Sequence, residues 1–208
     1  MKQLFLCSYF AGVKNLFKQY ASKKQLGKHV LFIPTAGNVE EYRGYIDEAL
    51  QTFADLGFQV EVLDISACDR ETAQAKIFQS KLLYVSGGNT FYLLQELKKK
   101  QLLSLIKEQV ADGMVYVGES AGAIITAKDI DYNKIMDDKG VAAELHDTEA
   151  LNEVDFYVLP HVGEEPFVES TQATLDTYGD QLNLLSLNNR QAVLVEDEEV
   201  KILEEDIQ

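Results

Sequence analysis

Short apolar runs alternate with segments of helical period along nearly the whole chain, and this alternation limits the fold more than any other feature. Residues 4–10, 29–34, 58–65, 81–85, 114–117 and 156–160 read as strands, apolar almost throughout except 58–65, where Gln59, Glu61 and Asp64 interrupt the run. Between the first two, Val13, Leu16, Phe17 and Tyr20 recur at helical spacing within 12–25. Tyr42, Tyr45, Ile46, Ala49, Leu50 and Phe53 repeat that spacing before a stop at Gly57. Further helices are expected over 71–78, 91–97, 102–110, 121–127 and 165–178, with late strands at 184–187, 192–195 and 200–203. Asn38 and Asp69 stand where the second and third helices need caps. Residues 128–153 are polar and irregular and read as a long loop. Strands apolar on both faces belong to a mostly parallel sheet covered by helices on both sides. The expectation is therefore a three-layer α/β/α fold. No linker divides the 208 residues, so 1–208 is expected to form one domain.

Charge narrows the function. With 34 acidic against 19 basic residues the net charge is -15, a field that repels nucleic acid and anionic membranes. Cys7 and Cys68 are far apart and form neither a disulfide framework nor a metal-ligand pattern, so no metal is expected and a reducing, cytoplasmic setting is. The apolar start is too short for a signal peptide, with Lys14 and Lys18 close behind, and no apolar stretch approaches a membrane span.

In doubly covered sheets the ligand sits beyond the carboxyl ends of the strands. Three segments of chemical interest, 86–90, 118–122 and 160–161, all fall there. Gly118, Ser120 and Gly122 satisfy Gly-x-Ser-x-Gly between a strand and a helix. A sharp turn of this kind lifts a serine hydroxyl clear of the sheet edge. A nucleophilic serine needs a base, and of His29, His146 and His161 only His161 ends a strand beside it. A developing oxyanion needs donors already in place. Gly87-Gly88-Asn89 and the Ala121 N–H, just after the serine, can supply them. The glycine pair lacks both the third glycine of a dinucleotide fingerprint and the Gly-Lys-Ser/Thr of a P-loop, so no nucleotide cofactor is expected.

Taken together, residues 86–91, 118–123 and 159–161 resemble the aspartyl dipeptidase (dipeptidase E) and cyanophycinase family of serine peptidases. The likeness runs from the first strand to about Val195. It implies a core like that of the class I glutamine amidotransferases, flavodoxin-like, with serine in place of their cysteine. It also implies hydrolysis of peptide or isopeptide bonds without metal or cofactor. By that likeness Ser120 is the nucleophile, His161 the base, and the Gly88 and Ala121 N–H groups the oxyanion hole.

The sequence departs from the family in two places. Where the family carries a triad glutamate, this chain reads Leu187-Asn188-Asn189-Arg190. Asn189 can orient the imidazole but brings no charge; Asp131 and Asp137 are the alternative third members. Aspartyl specificity also wants a cation opposite the substrate carboxylate. The only arginines are Arg43, Arg70 and Arg190, and the stretch after His161 carries Glu164 and Glu165 instead. The expected activity is thus cleavage of small peptides without strict preference for Asp. Gly87, Asn89, Glu119 and Glu164 are candidate substrate contacts, Glu164 for a free α-amino group. An esterase or amidase on a non-peptide substrate, and a non-catalytic binding protein with a degenerate triad, remain the alternatives. A monomer or homodimer is expected from base rates.

Overall fold

The computed structural model describes residues 2–206. In chain order the elements are β1 (Gln3–Cys7), α1 (Lys14–Lys23), β2 (His29–Ile33), α2 (Gly44–Asp55), β3 (Gln59–Val62), α3 (Arg70–Gln79), β4 (Leu82–Val85), α4 (Thr90–Lys99), α5 (Leu103–Ala111), β5 (Val115–Glu119) and α6 (Ala121–Ile124). They continue with β6 (Tyr157–Leu159), α7 (Val168–Tyr178), β7 (Leu184–Ser186), β8 (Gln191–Glu196) and β9 (Glu199–Glu204). Seven strands form one sheet in the order β3-β2-β4-β5-β1-β8-β9. The first five are parallel, and β8 and β9 close the edge as an antiparallel hairpin.

Side-chain alternation assigns each strand residue to a face. Leu4, Leu6, Leu31, Ile33, Leu83, Val85 and Tyr116 join Ile77, Leu94, Leu97, Ile106 and Val110 in one buried cluster. Phe5, Cys7, Val30, Phe32, Leu82, Tyr84 and Val117 join Phe17, Tyr20, Ala49 and Phe53 in the other. The first face is thus covered by α3, α4 and α5, the second by α1 and α2, giving the three layers. The second face is largely aromatic: Phe53 touches the rings of Phe10, Phe17, Phe32, Phe58 and Tyr84 at centroid distances of 4.6–6.2 Å. Packing of this kind stabilises beyond the area buried, by about 0.5–1.5 kcal/mol per pair.

The expected elements are present, with differences at Asn38, at the end of α6 and at β6. Asn38 does not cap α2: its amide donates to Asp64 and Ser66, and the helix starts at Gly44. Asp69 does cap α3, accepting from Thr72 N at 2.6 Å. The helix expected over 121–127 ends at Ile124, because the chain tightens into a turn that sends the Thr126 hydroxyl back to the Ala123 carbonyl. Strand β6 belongs to a separate two-stranded parallel sheet with β7, not to the main sheet. Residues 128–153 hold no α-helix or strand, only 3₁₀ turns at Asp131–Ile135 and Lys139–Val141, and are anchored by Ile130, Tyr132, Ala142 and Leu151, buried in the core.

Candidate active site

Parallel pairing brings three strand ends together, with Val85 level with Gly118 and Cys7 level with Glu119. The connections leaving β1, β4 and β5 therefore meet at one edge. Ser120 joins β5 to α6 with φ 47 and ψ -108, a sparsely populated conformation for a residue with a side chain. Its N–H donates to Cys7 O at 2.9 Å, and its carbonyl accepts from the N–H groups of Ala123 and Ile124, each at 2.9 Å. The turn can close this tightly only on glycine: a Cβ on Gly122 would lie 2.1 Å from Val85 O.

His161 reaches this turn from the end of β6. Its Nε2 lies 3.0 Å from Ser120 Oγ, and its Nδ1 lies 2.7 Å from Asn189 Oδ1. With an amide oxygen facing Nδ1, that nitrogen carries the proton and donates. Nε2 is left as acceptor for the serine hydroxyl. The His161 backbone is held at φ 63, its N–H donating to Ser8 Oγ at 3.2 Å, and the Ser8 hydroxyl donates in turn to Leu187 O. Phe167 stacks on the imidazole at 4.6 Å. Burial holds the imidazole below its ordinary pKa of 6.5, opposed by the Asn189 hydrogen bond and the charge of Glu164.

The loop after β4 backs onto the serine. A Cβ on Gly87 would sit 3.3 Å from Ser120 Cβ, and the ring of Tyr45 borders the same spot. Among the described residues, the N–H groups of Gly88 and Ala121 have no protein acceptor. Gly88 takes φ 126, which side chains rarely adopt.

Several sequence expectations are corrected. Asp137 does not touch His161: its carboxylate accepts from Thr90 N at 2.7 Å and Asn133 Nδ2 at 2.8 Å, anchoring the start of α4, and burial raises its pKa to about 6. Asp131 pairs with Lys134 and Lys139. Asn89 is buried and spent on structure, capping α4 through Tyr92 N and donating to Asp138 O. Glu119 ends β5 rather than starting a helix, and its carboxylate faces the interior, accepting from Phe10 N at 2.7 Å and Tyr84 OH at 2.5 Å. Glu164 Oε1 accepts from Asn189 N at 3.3 Å. Sequence reading had no signal for Ser8 or Phe167, nor for Gly12, where a Cβ would press within 2.2 Å of Asn189 O.

Burial raises the Glu119 carboxyl from 4.5 to about 7 against the pull of its Phe10, Tyr84 and Gly87 donors. Between those values the folded chain keeps a proton that the unfolded chain has released. This group's contribution is therefore full below about pH 4.5 and is lost as pH rises through about 7, by about 3 kcal/mol in all. Glu119→Gln should flatten that fall. Denaturant unfolding of both proteins at pH 5 and pH 8 checks it, and equal slopes with pH contradict it.

Among the described residues no three His, Cys, Asp or Glu side chains converge as a metal site. No helix among them is long and apolar enough to cross a membrane. A groove of about 580 Å³, lined by Lys24, His29, Glu61 and Lys81, lies at the opposite sheet edge, and neither Ser120 nor His161 lines it.

A model of Peptidase family S51 matches residues 6–203. The chain belongs to that family. This S51 member is 46% identical over 198 residues to an uncharacterized peptidase of Pasteurella multocida, covering 95% of each chain. It is 42% identical to one of Listeria monocytogenes, covering 96% of this chain and 97% of that one. A protein named Peptidase E from a Nostoc species is 29% identical over 166 residues, 77% of this chain and 65% of the other. The S51 member superposes on the crystal structure of a Listeria monocytogenes protein described as a Peptidase E candidate with a TM-score of 0.94 and 40% identity, over 99% of this chain and 100% of that one. Family and relatives make the chain a peptidase by descent, on the α/β fold of that neighbour.

Proposed function

We propose that this chain is a serine-type peptidase acting on small peptides. The observation that carries the reading is the line Ser120 Oγ, His161 Nε2, His161 Nδ1, Asn189 Oδ1, with contacts of 3.0 Å and 2.7 Å. In this reading His161 takes the proton as Ser120 attacks the substrate carbonyl. The oxyanion receives the Gly88 and Ala121 N–H groups, and His161 returns the proton to the leaving amine before water releases the acyl group. The strained Ser120 backbone, about 1–3 kcal/mol above a relaxed one, presents the hydroxyl ready for attack.

The base must be neutral to act. Because burial lowers the His161 pKa below 6.5, kcat/KM is expected to be level at neutral pH and to fall only as pH drops below that value. A pH–rate profile on a cleaved dipeptide checks this, and an acid limb centred above pH 7 contradicts it.

Selectivity follows from charge. Arg190 is turned to the C-terminal segment, meeting Glu205 O and Glu204, and Arg43 bonds the Asn38 side chain. Among the described residues no Lys or Arg side chain bonds Ser120 or His161, while Glu164 closes the turn that begins at His161. Asp-Xaa dipeptides should therefore be cleaved no faster than neutral Xaa-Xaa dipeptides. A dipeptide panel tests this, and a marked preference for Asp-Xaa refutes it.

A further inference from the structure

The third position of the catalytic line holds an amide. Asn189 orients the imidazole but offers no charge to the imidazolium that forms when Ser120 attacks. Glu164 stands one hydrogen bond further out. Its Oε1 accepts from Asn189 N at 3.3 Å, and its own N–H donates to His161 O at 3.1 Å, closing the turn 161–164. His161, Glu164 and Asn189 are all half-buried, so their mutual field is only partly screened. The other groups packed on the imidazole, Ser120, Asn189 and Phe167, are neutral, as is Ser8 on its backbone. Among the described residues Glu164 is the charged side chain whose field acts on the ring. Arg190, adjacent to Asn189, is engaged with Glu205 O and Glu204. Asp131 and Asp137 are tied to lysines and to α4.

Resting on the peptidase reading above, we propose that Glu164 is the acid of a split triad. The Asn189 side chain orients His161, and Glu164, held against the Asn189 backbone and acting by its field across the turn, supplies the negative charge that stabilises the imidazole once protonated. Glu164 is thus a positioning residue and does not touch the substrate.

Two readouts test this together: titration of the His161 ring protons by NMR, and pH-dependent kinetics with fluorophosphonate labelling of Ser120. The chain has three histidines, so the His161 signal is assigned by its loss in a His161 variant. In Glu164→Gln the His161 pKa should fall by about half to one unit. The acid limb should follow it, and kcat should drop about tenfold with KM nearly unchanged. Adding Asn189→Asp to that variant places a carboxylate directly on Nδ1 and should restore most of the loss. Labelled Ser120 with an unshifted His161 titration overturns the split triad alone. Loss of activity without a titration shift or rescue reduces Glu164 to a turn-closing residue and overturns it too. Unlabelled Ser120 in the wild-type protein removes the peptidase reading, and this proposal with it.

Discussion

His161→Ala should lower kcat on any substrate that the wild type cleaves by about 10⁴-fold or more, with the protein still folded. Among the described residues the imidazole is the base that meets Ser120 Oγ, so its removal leaves the hydroxyl in its ordinary, unreactive state. Ser120→Ala should cost about the same, and the double variant little more than either. Groups that act as one unit lose their whole effect when any member is lost. The fold should tolerate the change, since what is removed is one stacked contact with Phe167 and two side-chain hydrogen bonds at a half-buried position. Circular dichroism and steady-state kinetics on the three variants check this. Additive losses, or a His161→Ala protein within tenfold of wild type, contradict it.

Gly88→Ala should damage both fold and catalysis. The residue sits at φ 126, and a Cβ there would lie 2.3 Å from the Ala36 carbonyl carbon and 2.5 Å from Gly37 N. Backbone cannot rotate aside as a side chain does, and the two loops are tied by Asn89 N donating to Ala36 O at 2.9 Å. The loop must move, at a cost of about 2–4 kcal/mol in stability. Its free N–H then loses its aim at the oxyanion, for a further fall of about 10²–10³ in kcat. Gly27→Ala, where nothing lies within 4 Å of the added carbon, is the matched control and should change neither quantity. Thermal unfolding and kinetics of both variants decide the point; a Gly88→Ala protein indistinguishable from Gly27→Ala refutes it.

Where the sequence was legible, the reason is short range. Leu83 and Tyr84 point to opposite faces because a strand alternates, and Asp69 caps α3 because Thr72 N lies three residues on. The serine turn was legible because Gly118 and Gly122, each two residues from Ser120, leave the room that so tight a turn needs. What escaped depends on contacts that no local pattern encodes. Ser8 meets the His161 amide across 153 residues, and β6 could not be told from a main-sheet strand, since periodicity says nothing of which partner a strand finds. Glu119 and Asn89 were read as substrate contacts because they flank the site in sequence. Strand alternation turns Glu119 inward to Tyr84, and capping consumes Asn89. Asp137 lies in the loop that follows the nucleophile helix, yet α4 takes its carboxylate.

An activated Ser120 should react with a fluorophosphonate that leaves ordinary serines untouched. Purified protein is treated with the probe and the modified residue mapped by mass spectrometry, with Ser120→Ala as control. The expected result is one modified residue, Ser120, labelled in the wild type and lost in the variant. A folded protein that leaves Ser120 unmodified, or takes the label elsewhere, contradicts it and returns weight to a binding protein with an inert site.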